Sequence, residues 1–271
     1  MGCFLSNSSV GRKLVMSISG CLLVLFILFH MSMNVVAIAN ACGNTPFGLN
    51  YNAICGFLGA NWYALVATLG LALGVVVHIV YAFVLTVQNR KARGNVRYAV
   101  TVTEKGVSWA SKNMLVLGII VLLGLALHLV HFWSKMQLQE LMGHHHVMLD
   151  GAEVPVTDGV AIIAYTFSKW YNVVLYLIWF AALWFHLTHG VWSMCQSIGW
   201  ANDKWYPRLK CLSGIVASLI FLGFAAVVLF YYGLSLCDCG VEVAAQCQAP
   251  VAEPVVEVVQ EVVQEVVESA K

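Results

Sequence analysis

The chain has 271 residues, of which 61% are hydrophobic and only 10% charged, with a formal net charge of +1. Soluble domains carry about 25% charged residues, so this composition excludes an ordinary water-soluble protein, and the near-neutral charge speaks against a nucleic-acid-binding partner. The partners to expect are membrane lipid and other proteins.

Segments without Asp, Glu, Lys or Arg run over residues 14–89, 113–134, 170–202 and 211–237. A span needs about 20 residues, so the first segment must hold two; the turn-forming residues Asn40, Gly43, Asn44 and Pro46 divide it. Five helices are predicted, at 14–39, 62–88, 112–134, 170–198 and 211–236. The fold class is therefore an all-α integral membrane protein, a five-transmembrane-helix bundle. Its organisation is an N-terminal segment (1–11), the transmembrane domain (12–236) and an acidic, valine-rich tail (237–271).

Orientation follows from Lys and Arg. Arg12 and Lys13, then Arg90, Lys91, Arg93, Arg97, Lys105 and Lys112, then Lys204, Arg208 and Lys210 share one side, against Lys135, Lys169 and Lys271 on the other. The positive-inside rule places the larger group, with the N-terminus, in the cytoplasm and the C-terminus outside. The expected location is a bacterial cytoplasmic membrane. Arg12-Lys13, the apolar run and Ala37, Ala39 and Ala41 also look like a cleavable signal peptide. That run exceeds the usual 7–15 residues of such a segment and contains His30 and Asn34, so a retained helix is expected.

Nine cysteines form neither a C-x-x-C-H haem attachment nor an iron–sulfur series. Cys42 and Cys55, or Cys237, Cys239 and Cys247, could pair in an oxidising compartment; free thiols explain them equally well.

Histidine is the informative residue. It recurs in four of the five apolar stretches, as His30, as His78, as His128 with His131, and as His186 with His189. Ionisable groups are costly within a bilayer and mark function there, and imidazole is a common axial ligand of haem iron. From Arg12 to His30 is 18 residues and from Lys112 to His128 is 16, which sets both roughly 24–27 Å along outward-running helices. From Trp62 to His78 and from Trp170 to His186 is 16 residues on inward-running helices, with the tryptophans as interface anchors. The histidines thus sort into an outer pair from helices one and three and an inner pair from helices two and four. A single intramembrane histidine more often just bonds a neighbouring helix; four at matched depths favour two bis-histidine haems. His131 and His189 lie three residues beyond His128 and His186 on nearly the same face, and depth leaves both choices open.

The order of these features resembles a known family. Arg12-Lys13-Leu14 leading to Gly20, His30 and Asn34; His78 followed by Asn89-Arg90-Lys91-Ala92-Arg93; His128, His131 and Phe132; and His186 with Gly190-Val191-Trp192 and Gly199-Trp200 look like the five-helix, di-haem, b558-type cytochrome b anchor of succinate dehydrogenase or fumarate reductase. The resemblance covers residues 10–236. It implies two haems b, with His78–His186 holding the inner and His30–His128 the outer, in preference to His131 and His189. It also implies a quinone substrate (menaquinone or ubiquinone), iron–sulfur and flavoprotein partner subunits carrying the succinate/fumarate site, and dimerisation of the complex as an open state. Alternatives are a di-haem anchor of formate dehydrogenase or hydrogenase, or a haem-free transporter.

Some fumarate reductases of that family carry glutamates at the start of the second helix and two residues before the fourth-helix ligand. Here Trp184 takes the latter position and no glutamate precedes Trp62 in the first outer loop, so a similar carboxylate path is not expected. His131, Asn34 and Tyr51 are weak quinone-site candidates. His144, His145 and His146 are expected to be solvated, and no role is assigned to the Glu257, Glu261 and Glu265 repeat.

Overall fold

The computed structural model describes residues 8–41, 50–94 and 108–237. The acidic tail, Cys42, Cys239, Cys247, Arg97 and Lys105 lie outside them.

Among the described residues, five helices are long and apolar enough to cross a membrane. The first, α1 (Ser9–Ala41), starts earlier than composition suggests because Ser8 Oγ accepts the Gly11 N–H at 2.8 Å and caps it. A short helix, α2 (Tyr51–Ala60), precedes the second spanning helix, α3 (Trp62–Arg93). This one extends through Arg90, Lys91 and Arg93, whose charges suit a helix C-terminus, and stops at Gly94 with φ 70°.

The third span is composite. After a single turn, α4 (Trp109–Lys112), the chain runs through α5 (Met114–His128) into a π-helical turn, Leu129–Trp133, closed by Ser134 N–H donating to Leu129 C=O at 2.8 Å. A short α6 (Gln137–Leu141) follows. The spans end with α8 (Trp170–Ser197) and α9 (Tyr206–Leu236). The start of α9 is five residues earlier than the charge-free window, because Pro207 suits the first turn of a helix and Arg208 and Lys210 are carried within it.

The connection after the third span departs from the purely helical expectation. Strands β1 (His146–Leu149) and β2 (Ala152–Pro155) pair antiparallel about Asp150 and Gly151, with φ 48° and 91°. Asp-Gly is a favoured two-residue hairpin turn because both positions need positive φ. Helix α7 (Gly159–Phe167) then tucks under the bundle, its N-terminus capped by Asp158, which accepts from Ala161 N–H at 3.0 Å. Asn52 Nδ2 donates to the same carboxylate at 2.8 Å and Asn52 Oδ1 accepts from Val160 N–H at 3.1 Å, which fastens α2 to α7.

Helix α8 packs chiefly on α9 and also on α5 and α1; α1 packs on α3, α8 and α9. The core therefore lies along α8 and α9, with Tyr176, Ile220, Val228 and Tyr231 fully buried. Tyr231 OH donates to Ala37 C=O at 2.9 Å, and Ser213 Oγ donates to Leu187 and Thr188 carbonyls, satisfying polar groups that lipid could not. Outward faces carry Leu22, Leu69, Leu73, Leu123 and Leu222, as a lipid-facing surface requires. The bundle has a basic end, where α3 stops and α9 starts, and a hairpin end.

Candidate histidine centres

The spanning helices bring the four selected histidines into two facing pairs. At the level nearer the basic end, His78 of α3 and His186 of α8 have ring centres 6.3 Å apart; nearer the hairpin end, His30 of α1 and His128 of α5 are 5.7 Å apart. Helices α1 and α5 each serve both levels. Ser19 and Gly20 lie beside His78, and Gly118 beside His186. Ten or eleven residues further along these helices come His128 and His30, which separates the two levels by about 15 Å.

The pairs cross between helices that do not pack closely. Neither α1 with α5 nor α3 with α8 is among the tight backbone pairings of the bundle, so each gap is spanned by side chains. Two imidazoles on opposite sides of one metal, with metal–nitrogen bonds of about 2.0–2.1 Å, have ring centres roughly 6.4 Å apart. The His78–His186 spacing agrees with that, and the His30–His128 spacing is somewhat tighter.

Surroundings differ between the levels. Ser19 Oγ donates to Met16 C=O at 3.0 Å and lies 3.2 Å from His78 Nδ1. A hydroxyl that donates to the carbonyl accepts from Nδ1–H, the arrangement that leaves Nε2 unprotonated. A Cβ on Gly20 would come within 3.4 Å of the His78 ring, and one on Gly118 within 3.9 Å of the His186 ring, so small residues keep both flanks clear. His186 Nδ1 is buried and has no hydrogen-bond partner among the described residues. An orphaned ring nitrogen in the core is costly and marks His186 as a side chain held for something other than packing.

The second pair is enclosed by aromatic rings. Phe26 stacks on His30 at 5.5 Å and Phe224 lies at 5.9 Å, while Phe132 and Trp179 approach His128 at 5.1 and 5.8 Å. Trp179 sits directly against Gly124, where any side chain would overlap its indole, and its Nε1–H donates to Val121 C=O at 3.0 Å. Asn34 Nδ2 donates to His30 C=O at 2.8 Å and lies 3.4 Å from His30 Nε2; Tyr51 OH donates to Asn34 Oδ1 at 3.2 Å. Of the weak candidates, Asn34 and Tyr51 are therefore joined to each other and to His30.

His131 and His189 point elsewhere. The π-helical turn turns His131 toward Tyr176, on which it stacks, with Nδ1 3.3 Å from the hydroxyl. His189 packs on Trp192 at 5.0 Å. Their helical spacing from His128 and His186 concealed this difference.

A carboxylate does stand beside the start of the second spanning helix. Glu140, from α6, lies against Gly59 at the end of α2, three residues before Trp62. Sequence inspection of the first outer loop missed it because it arrives from a different loop. Nearby, Thr68 Oγ1 and Trp133 Nε1 both donate to Gln137 Oε1, at 3.1 and 2.9 Å.

His144 Nδ1 lies 3.0 Å from Gln139 Oε1, and exposed His146 stands 3.7 Å from Glu153. No group of three or more His, Cys, Asp or Glu side chains suited to a metal ion occurs among the described residues. A haem needs only a facing pair, since the porphyrin supplies the other ligands. Cys55 is a free thiol, and burial pushes its pKa up to about 12, so it stays protonated and unreactive. Neither a family, nor a curated protein, nor a solved structure matches the chain.

Proposed function

We propose that the protein is a membrane cytochrome b that binds two haems b and links a soluble dehydrogenase head to membrane quinone. The observation that carries this reading is the pair of imidazole pairs, at two levels, between helices held apart by side chains. His78 and His186 would hold one haem, and His30 and His128 the other. A haem held by these histidines would supply one-electron transfer.

The chain's own residues prepare that chemistry. Ser19 is within hydrogen-bond reach of His78, and Gly20 and Gly118 leave room beside the inner pair. Phe26, Phe132, Trp179 and Phe224 exclude water around the outer pair, a low-dielectric shell of the kind that tunes a redox potential. Quinone reduction consumes protons, and the protic groups at the hairpin end, namely Glu140, His131 with Tyr176, and Asn34 with Tyr51, are suited to exchange them.

The remaining assignments follow from the resemblance and the charge distribution. The basic end faces the cytoplasm and docks an iron–sulfur subunit bearing a flavoprotein for succinate and fumarate; the hairpin end faces outward. A bacterial cytoplasmic membrane is the natural setting.

The test is reduced-minus-oxidised spectroscopy on purified protein, with haem extracted and quantified. A b-type band and two haems per chain are expected. A folded, haem-free chain would overturn the reading. Copurification with a flavoprotein active on succinate would support the proposed head, and copurification with a formate- or hydrogen-oxidising enzyme would replace it.

A further inference from the structure

A second built feature lies at the basic end between α8 and α9, beginning one helical turn beyond His186. Lys210, one turn into α9, carries its Nζ 4.4 Å from the ring centre of Tyr206 and 5.3 Å from that of Trp192. Trp192 and Tyr206 meet edge to face at 5.4 Å, and His189 packs edge to face on Trp192 at 5.0 Å. His189 Nδ1 is buried without a hydrogen-bond partner among the described residues. Arg208 lies over Trp205 at 5.2 Å, and Lys204 is exposed on the same connection.

The chemistry of this cluster is one-sided. Neither Lys210, Arg208 nor Lys204 has a carboxylate within ion-pair distance among the described residues, whose two ion pairs both lie at the hairpin end. A cation held over two aromatic faces gains from their quadrupoles but keeps its donors unspent. Asp203 is the one acid on the connection. Topology explains basic residues at this end; it does not explain why Lys210 is seated on Trp192 and Tyr206 next to an unmet imidazole nitrogen.

We infer that Lys210, on the Trp192–Tyr206 platform beside His189, forms a seat for the phosphodiester of an anionic phospholipid. The group required is an oxyanion able to accept from the Lys210 ammonium. Its place near the ends of two spanning helices is where lipid headgroups lie, with tryptophan and tyrosine as the usual interfacial residues. Exposed Trp200 and Trp205 lie on the connection between α8 and α9, as side chains at a membrane interface would. Basic pockets between spanning helices are suited to such headgroups.

The experiment uses the full chain, delipidated in neutral detergent and titrated with short-chain phosphatidylglycerol, short-chain phosphatidylcholine or inorganic phosphate, with bound ligand counted by native mass spectrometry. Preferential binding of phosphatidylglycerol is expected. Lys210→Ala should weaken it about five- to tenfold, the worth of one interfacial cation, whereas Lys210→Arg should retain it. Lys91→Ala, which removes an exposed charge from the same end away from the seat, should change it less than twofold. Equal binding of both lipids, or equal losses in Lys210→Ala and Lys91→Ala, would overturn the inference. Displacement by an equal concentration of inorganic phosphate would assign the seat to a free anion and overturn the lipid reading. Should Lys210→Ala fail to fold, the lipid preference of the unmodified chain and of Lys210→Arg decides.

Discussion

Ser19 Oγ and His78 Nδ1 lie 3.2 Å apart, and Ser19 Oγ is also 3.0 Å from Met16 C=O. A hydroxyl on one spanning helix is thereby within hydrogen-bond reach of an imidazole on another. Partners of this kind orient a metal-binding histidine and raise its basicity. Ser19→Ala should weaken retention of the inner haem about 10- to 100-fold and raise its midpoint potential, because a less electron-rich imidazole stabilises the oxidised iron less. Haem titration and potentiometry on the same sample check both; an unchanged potential would mean that Ser19 only packs.

The pairing of rings makes a sharper distinction among histidines. His78→Ala and His186→Ala should each reduce haem content from two per chain to one, as should His30→Ala and His128→Ala at the other level. His189→Ala and His131→Ala should keep both, since these rings face Trp192 and Tyr176. Extracted haem per chain is the measurement, and two haems in His186→Ala would show the assignment to be mistaken.

Gly124 tests the packing behind the outer pair. A methyl group there would overlap the Trp179 indole, which cannot easily retreat while its N–H is bonded to Val121 C=O. Gly124→Ala should therefore cost about 1–3 kcal/mol by overpacking, seen as a lowered Tm. Trp179 also lies 5.8 Å from His128, so loss of haem should be confined to the outer level.

The hairpin end supplies a pH dependence. Lys169 Nζ donates to Asp150 Oδ2 and to Tyr165 OH, each at 3.0 Å, and Tyr165 OH donates to Asp150 Oδ1 at 3.0 Å. Hydrogen bonds from Lys169 and Tyr165 hold the Asp150 carboxyl below its ordinary 3.8. Those to Tyr165 and Asp150 hold Lys169 above its ordinary 10.5. A depressed acid contributes stability above its ordinary value and loses it as pH falls through the depressed one. A raised base contributes below its ordinary value and loses it as pH rises through the raised one. Protection factors of the Leu149 and Ala152 amides should thus be level between about pH 4 and 10 and fall on either side. In Asp150→Asn the acid-side fall should disappear.

Composition and the placement of charge set the class and much of the register. Charge-free runs long enough to span lipid located five helices, because a bilayer forbids both unpaired charge and unpaired backbone. Helix boundaries moved where composition was silent: Pro207 started α9 early, and the π-helical turn after His128 left no compositional mark. The Asp150-Gly151 hairpin signal was present between His144 and Lys169, but hydropathy does not register turn geometry.

Histidine depth was likewise legible, since a helix rises by a fixed amount per residue. That rise sorted the histidines into one pair from helices one and three and another from helices two and four, and the resemblance chose His128 and His186 within them; in the structure the rings of His30 and His128, and of His78 and His186, face one another. Azimuth was another matter. Residues three apart share a face on an ideal helix, so only packing against Tyr176 and Trp192 separates His131 and His189 from the facing pairs. Tertiary structure alone also brought Ser19 to His78, Glu140 to Gly59 and Lys210 to Trp192. Each joins residues from different helices or loops, and the distance between such residues is fixed by how the elements pack, not by their spacing along the chain.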